Sequence, residues 1–338
     1  MEDKMFNDIL DSIISNATPD EIEIIREKLN NHLVNYIYDQ DISEELSNEF
    51  DSSFCYHCHS HHIIKYGKDK KGNQRFYCKD CQKTFSVITE SLLSYTKKEP
   101  YQWYLYIDFL FHGDTIVQSA EITGICEYTS LVWRHKILSI CAELTDEDPM
   151  LSDIVYLDEK LVDVKHPGIV THSTETIKTK RGISNQKRNI VCALDIHNHK
   201  VIQVSETGRI HSDKLIKIYK SKIPSNCKVV SDSLRSYHKL MKELNVEWIK
   251  IPSGKREKDG YTLDKVNQLH SSIELFLHSY RGVSDKYLRN YIGLYKIKDR
   301  YKKYYKKQVF KILFKRIINS LCILKYKDFR SDFSFSMI

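Results

Sequence analysis

The spacing of apolar residues divides the chain into a largely helical first part and a mixed second part. Up to about residue 145, apolar residues recur every three or four positions outside the stretch 51–96, which predicts helices at 6–38, 103–111, 115–122 and 127–144. The last three runs are short and successive, and Gly124 lies between the second and third. That arrangement favours a helix-turn-helix.

After the acidic break at 145–149, short β-rich apolar runs alternate with helical patterns. The predicted strands are 153–157, 189–196, 201–204, 227–230 and 246–251, and the predicted helices are 212–221, 235–244 and 263–280. Three successive strands followed by helix, strand, helix, strand and helix is the element order of an RNase H-like sheet. We therefore predict a mixed five-stranded α/β sheet, antiparallel in its first three strands and parallel in its later ones.

Four cysteines in the stretch 51–96 give the strongest chemical signal. Cys55 and Cys58 form one C-x-x-C pair, Cys78 and Cys81 form another, and 19 residues (59–77) separate the pairs. Two such turns can place four thiolates around one tetrahedral Zn²⁺. The residues between them read as two short strands around a turn, so we predict a zinc β-ribbon that either grips nucleic acid or is only a structural staple.

These patterns predict a multidomain protein of 338 residues. Its predicted parts are a helical segment 1–50, the zinc ribbon 51–96, a helix-turn-helix domain 97–145, an RNase H-like domain 146–295 and a basic helical tail 296–338. No apolar stretch approaches the roughly 18 residues that cross a bilayer, and the acidic N-terminus lacks the layout of a secretory signal. The other five cysteines lie inside apolar runs, so we expect reduced thiols and a cytoplasmic protein.

Positive charge is concentrated in a few places, which suggests a polyanionic partner. The net charge is +7, and residues 295–316 hold ten Lys or Arg against one Asp. The polar loop between the first two sheet strands suits phosphate binding, as does a second loop before the long helix. The candidate DNA contacts in these loops are Lys178, Lys180, Arg181, Lys187, Arg188, Lys255 and Arg256.

The third predicted helix of the helix-turn-helix carries three successive cationic or titratable side chains. Arg134, His135 and Lys136 could lie against a DNA groove while neighbouring apolar residues pack inward. The alternative is a three-helix connector whose cations face water.

Two carboxylates occupy related positions in the predicted sheet. Asp158 ends the first strand and Asp232 ends the fourth, and these strands are neighbours in an RNase H-like sheet. Two carboxylates at one sheet edge repel each other unless a divalent cation lies between them. Such a pair is the minimum set of protein ligands for Mg²⁺-assisted phosphoryl transfer. Each aspartate alone is more often a turn former or helix cap, and Glu159 should point to the opposite sheet face.

A third ligand should come from the long helix. Asn267, His270 and Glu274 share one face of it at helical spacing, opposite an apolar face. Asn267 would add an oxygen without a charge, whereas Glu274 would add a carboxylate.

At these residues the chain resembles the bacterial insertion-sequence transposases that join a zinc ribbon and helix-turn-helix to an RNase H-like domain of the Asp-Asp-Asn/Glu type. The resemblance covers about 51–295. Its motifs are RFYCKDCQKTF (75–85), WRHK (133–136), LDE (157–159), KRGIS (180–184), SDS (231–233), NQLHS (267–271), YRGVS (280–284) and KYLRNY (286–291).

The resemblance implies a DNA transposase that binds terminal inverted repeats as a homodimer or larger assembly, near the bacterial nucleoid. It implies strand cleavage and transfer with two Mg²⁺ ions at Asp158, Asp232 and Asn267. The family usually carries Lys where this chain has Glu274, so either Glu274 is itself a ligand or the copy has lost activity. Two rivals stay open: a catalytically inactive DNA-binding protein and a metal-dependent nuclease that cannot join strands.

Overall fold

The fold is taken from a computed structural model. It describes residues 11–12, 15–37, 52–69, 74–86, 88–89, 91–94, 96–98, 100–145, 147–163, 187–302, 314, 316–317 and 320. Lys178, Lys180, Arg181 and most of the predicted tail 296–338 lie outside these residues. The chain forms two compact units, Met1–Tyr104 and Leu105–Ile338. In the described part of the chain, no helix is both long and apolar enough to span a bilayer.

The first unit contains one long helix and a small antiparallel sheet. Helix α1 spans Pro19–Ile37, and the sheet has the order β1 (Ile63–Lys68), β2 (Gln74–Cys78), β3 (Thr84–Ser86). The first two strands lie where the sequence predicts them, and the third was not foreseen. Their apolar core is small, consisting of Cys55, Cys78 and Phe85 with partly buried neighbours.

Three helices stand at the start of the second unit, as the apolar periodicity predicts. They are α2 (Pro100–His112), whose first turns belong to the first unit, α3 (Ile116–Thr123) and α4 (Glu127–Glu143). Thr115 and Gln118 close a capping box at the start of α3. Gly124 ends α3 with φ +63°, a left-handed conformation that suits glycine.

The second unit is built on a five-stranded mixed sheet in the order β6-β5-β4-β7-β8. β4 is antiparallel to β5 and parallel to β7, and β7 is parallel to β8. This is the predicted RNase H-like strand order. The strands are β4 (Ile154–Asp163), β5 (Lys187–Asp195), β6 (Lys200–Thr207), β7 (Lys228–Ser231) and β8 (Glu247–Lys250).

Helices cover both faces of this sheet. They are α5 (Ser212–Tyr219), α6 (Arg235–Leu244), α7 (Asp264–Ser279) and α8 (Leu288–Tyr301), and a short hairpin, β9 (Glu257–Lys258) with β10 (Tyr261–Thr262), precedes α7. Val155 and Leu157 of β4 face a core shared with α5 and α6. Tyr156, between them, faces a core shared with α7 and α8. Strand alternation thus assigns odd-numbered residues of β4 to one face and even-numbered residues to the other.

Helices α4 and α8 approach closely through two small residues. A Cβ atom added at Gly293 of α8 would lie 2.6 Å from the Cα of Ala142 on α4. Backbone atoms at that distance cannot yield as a flexible side chain would, so this crossing requires glycine.

We therefore expect Gly293→Ala to destabilise the second unit, although alanine favours helix by about 1 kcal/mol. Overpacking costs typically about 1–3 kcal/mol, and separating the helices would also disturb the contacts around their crossing. The melting temperature of the variant should fall by several degrees in a thermal unfolding experiment. Arg300→Ala, at an exposed position of the same helix, should leave it unchanged; an equal melting temperature for both variants would contradict this view of the crossing.

Candidate active site

Asp158 and Asp232 lie next to each other where β7 ends beside β4. Leu157 of β4 is paired with Ser231 of β7, and each aspartate directly follows its paired residue. Adjacent strands are about 4.8 Å apart, and both aspartates fall on the sheet face that α7 covers. The prediction that Asp158 ends its strand is wrong, because β4 continues to Asp163 in antiparallel pairing with β5.

The Asp158 carboxyl is largely buried, and this changes its acidity. Burial and the charge of Asp232 raise its pKa to about 6, against the effect of a hydrogen bond that its Oδ1 accepts from the backbone N–H of Glu159 (2.9 Å). Asp232 accepts a hydrogen bond from the backbone N–H of Leu234 (2.9 Å). The two carboxylates therefore repel each other in a partly desolvated place, which is where a cation stabilises most.

Glu159 belongs to the opposite sheet face, as strand alternation predicts. Its carboxyl lies near the Tyr237 hydroxyl, and burial above all raises its pKa to about 8. Tyr237 is part of the core shared with α5 and α6. Glu159 thus adjoins the aspartate pair along the chain without sharing its face.

The three polar residues of α7 that could be metal ligands differ in burial and in their contacts. His270 is buried, with Nδ1 3.9 Å from Oδ2 of Asp158. Burial and the nearby charge of Lys160 lower its pKa to about 4, so its imidazole is neutral near pH 7. Asn267 is exposed one turn earlier on the helix. Val266, Leu269 and Ile273 line the buried face, as the sequence predicts.

Glu274 is engaged elsewhere. Its Oε2 accepts a hydrogen bond from Nζ of Lys160 at 2.5 Å, and its side chain is 66% exposed while that of Lys160 is 22% exposed. Within the described residues, the four ribbon cysteines are the only group of three or more Cys, His, Asp or Glu ligand atoms that all lie within 4.8 Å of one another. Glu274 therefore does not join Asp158 and Asp232 in this structure.

Sequence reasoning missed Lys160. It lies on β4 two residues after Asp158, and the alternation that assigns Asp158 to the α7 face assigns Lys160 to the same face. That signal was available in the sequence. Its partner was not, because Glu274 is 114 residues away along the chain.

The predicted DNA contacts of α4 are buried. Arg134 is 1% exposed, and His135 and Lys136 are also buried. Arg134 donates a hydrogen bond to the backbone oxygen of Asp114 (2.6 Å) and lies over the ring of Tyr280. Side chains enclosed in this way cannot reach a DNA groove, so their prediction as DNA contacts is wrong for this arrangement.

The physical reason is that most of α4 between Ser130 and Ala142 is buried, with α3 and α8 packed against it. The ring of His135 stacks on that of Tyr287, with centroids 3.6 Å apart, and the other end of the helix meets α8 at Gly293. The aromatic residues near Arg134 are Tyr106 of α2, Tyr280 directly after α7 and Tyr291 of α8, so two of the three come from far along the chain. The burial fits a three-helix connector, but not the expectation that its cations face water.

The loop cations differ in their accessibility. Arg188 forms a two-pronged ion pair with Asp285 through Nε (2.7 Å) and Nη2, and it donates to the backbone oxygen of Ser205 (3.1 Å). It is therefore occupied in holding β5 to the segment after α7. Lys187 is half-buried, whereas Lys255 and Arg256 are exposed in the loop after β8, at the sheet edge that bears the aspartates.

The four ribbon cysteines converge as the sequence predicts. The Sγ atoms of Cys55 and Cys81 are 3.6 Å apart, as are those of Cys58 and Cys78, and all four thiols are free of disulfides. Four sulfurs at about 2.3 Å from one zinc ion would be about 3.8 Å apart, so this set fits tetrahedral zinc. His59 and Gln82, each four residues after the first cysteine of its pair, both adopt φ +57°, which shows that the two turns share one geometry.

Comparison with known proteins gives one informative match. Residues 150–296 match the family model described as an ISXO2-like transposase domain, and no curated protein matches the chain.

Solved structures give only distant resemblances. The Mos1 strand transfer complex has a TM-score of 0.27 at 14% identity, over 66% of this chain and 77% of that one. A simian T-cell lymphotropic virus intasome in complex with PP2A regulatory subunit B56 gamma scores 0.26 at 9% identity, over 62% and 66% of the respective chains. Similarity at this level supports no conclusion about activity.

Proposed function

Since residues 150–296 match the family model of an ISXO2-like transposase domain, we propose that the protein is an insertion-sequence transposase that cleaves and joins DNA strands with divalent metal ions. The observation that carries this proposal is the pair Asp158 and Asp232, which lie side by side on one sheet face. Burial, and to a smaller extent the charge of Asp232, raise the pKa of Asp158. A divalent cation bound between the two carboxylates would compensate their repulsion.

The residues present fit Mg²⁺. Asp158 and Asp232 would hold it, and Asn267 of α7, exposed on the helix beside them, would add an oxygen ligand in the Asp-Asp-Asn pattern. Two such ions, when bound, lower the pKa of a water nucleophile and stabilise both oxygens of an in-line displacement at phosphorus. We favour Asn267 over Glu274 as the third ligand because Glu274 is held by Lys160.

The protein's own groups would set up this site. Neutral His270 packs beside Asp158 and limits the orientations of its carboxyl. The backbone N–H groups of Glu159 and Leu234 each fix one oxygen of an aspartate, which leaves each carboxylate an oxygen for a ligand role. Exposed Lys255 and Arg256, at the same sheet edge, would hold the phosphates that flank the reacting bond.

We further propose that Cys55, Cys58, Cys78 and Cys81 bind a structural Zn²⁺, and that the ribbon helps to recognise the inverted repeats at the element's ends. Since α4 has its cations buried, the ribbon becomes the better candidate for DNA recognition in the N-terminal part. Coordinated cutting of two ends calls for a homodimer or larger assembly on double-stranded DNA.

The decisive experiment supplies the purified protein with a donor duplex carrying the inverted repeats that flank its coding region. With Mg²⁺ or Mn²⁺ we expect strand cleavage, and with a target duplex we expect joined products, resolved on a denaturing gel. DNA binding without cleavage would support the rival of an inactive DNA-binding protein. Cleavage without joining would support the rival of a nuclease, and either result would overturn the proposal.

A further inference from the structure

Lys160 of β4, two residues after Asp158, forms an ion pair with Glu274 of α7. The proposed catalytic role of the aspartates gives this pair no function. The Lys160 side chain is 22% exposed, and its Nζ lies 2.5 Å from Oε2 of Glu274, a largely exposed residue of α7. Because the Glu274 side chain is 66% exposed and water reaches the pair, its contribution to folding is about 1 kcal/mol or less. A contact this weak, next to a proposed phosphoryl-transfer site, is one that a stronger anion can replace.

Resting on the proposed function, we propose that Lys160 is a DNA-phosphate contact of this site and that Glu274 occupies the place of the phosphate until DNA displaces it. The positive charge is fixed in position because β4 holds Lys160 two residues from Asp158, on the same face. The Lys160 ammonium already binds one anionic oxygen there, because its Nζ lies 2.5 Å from Oε2 of Glu274.

Displacement is favourable for physical reasons. A backbone phosphate of duplex DNA, like a carboxylate, offers anionic oxygen acceptors to an ammonium group, and its binding also releases condensed counterions. Displacement costs Glu274 little, because its side chain is already largely exposed and remains in water. Lys160 thus exchanges one anion for another and is never left unpaired in a partly buried position.

The test measures affinity for a random-sequence duplex by fluorescence anisotropy, with divalent ions omitted, across a series of salt concentrations. A single phosphate contact contributes about 0.9 to the slope of log affinity against log salt. Lys160→Met should reduce the slope by about that amount, and Lys160→Arg should retain it. Glu274→Gln should raise affinity about two- to fivefold, the range that an exposed ion pair can withhold.

Two further variants separate this competition from a general change in charge. Glu243→Gln removes the same charge from another ion pair, in which Lys220 Nζ lies 2.6 Å from Oε1 of Glu243. Lys220 directly follows α5 and Glu243 belongs to α6, and both helices cover the opposite sheet face. It should change affinity less than Glu274→Gln does. In the double variant of Lys160→Met and Glu274→Gln, the gain from the glutamate substitution should disappear.

An unchanged salt slope in Lys160→Met, or equal gains from Glu243→Gln and Glu274→Gln, would overturn the proposal. So would loss of donor cleavage in Glu274→Gln with Mg²⁺, because that result would make Glu274 a ligand. These binding measurements do not require cleavage, so an inactive wild-type protein with the expected slopes would overturn the enzymatic function alone.

Discussion

Replacing Asp232 with asparagine should abolish strand cleavage and strand transfer while leaving the fold intact. The amide oxygen of asparagine can still accept the hydrogen bond from the Leu234 backbone N–H, so the turn before α6 is preserved. The lost charge removes much of the attraction for divalent ions. Metal ions contribute several kcal/mol to such reactions, and each 1.36 kcal/mol corresponds to a tenfold change in rate. We expect a decrease of about 10³-fold or more in single-turnover cleavage.

The same substitution should change the acidity of its neighbour. Without the Asp232 charge, the pKa of Asp158 should fall from about 6, although burial will keep it above the usual value. Duplex affinity without divalent ions should stay within about twofold of wild type, because the substitution removes no phosphate-binding cation.

Asp213→Asn is the matched control for this variant. Asp213 is an exposed carboxylate on α5 that pairs with Lys239 at 2.6 Å, and α5 covers the sheet face opposite to the aspartates. Its cleavage rate should equal that of wild type. A D232N protein that keeps more than about a tenth of the wild-type rate would remove Asp232 from the site.

The sheet was predictable from the sequence because its local signals agree with its final pairing. β4, β5 and β6 are apolar and β-rich, and the turn between β5 and β6 has a polar sequence, so the antiparallel order follows from chain order alone. The length of β4 was not predictable. Four of the six residues 158–163 are charged, and they remain in the strand because β5 pairs with them as far as Asp163 with Lys187.

The aspartate pair could be predicted because strand order and alternation place both residues. The burial and the ion-pair partners of the surrounding charged residues could not be predicted. In the sequence Arg134 looks like a surface cation, yet it is buried, with the ring of Tyr280 from far along the chain on one side and a hydrogen bond to the backbone oxygen of Asp114. Glu274 has the appearance of either a ligand or a lost function, whereas the structure gives it a cationic partner from β4. Long-range partners of charged residues leave no local periodicity to detect.

Replacing Cys78 with serine should unfold the ribbon and leave the five-stranded sheet folded. The ribbon's buried core is limited to Cys55, Cys78 and Phe85, too little apolar surface for a module of this size to fold without a staple. Structural zinc sites supply apparent binding free energies of about 10–16 kcal/mol. With one thiolate removed, we expect bound zinc to fall from one ion per chain to nearly none at moderate chelator concentrations.

Hydrogen exchange can show which part of the protein unfolds in the variant, since the ribbon and the five-stranded sheet lie in different compact units. Amides of β1–β3 should lose protection in the Cys78→Ser protein, because β2 bears Cys78 and pairs with both other strands. Amides of β4 and β5 should keep theirs, because the cores on both faces of their sheet contain no ribbon residue. Cys126→Ser, an exposed thiol outside the cluster, should change neither zinc content nor protection. Protected β2 amides in a zinc-free C78S protein would mean that the apolar core alone folds the ribbon, and the four cysteines would then need another explanation.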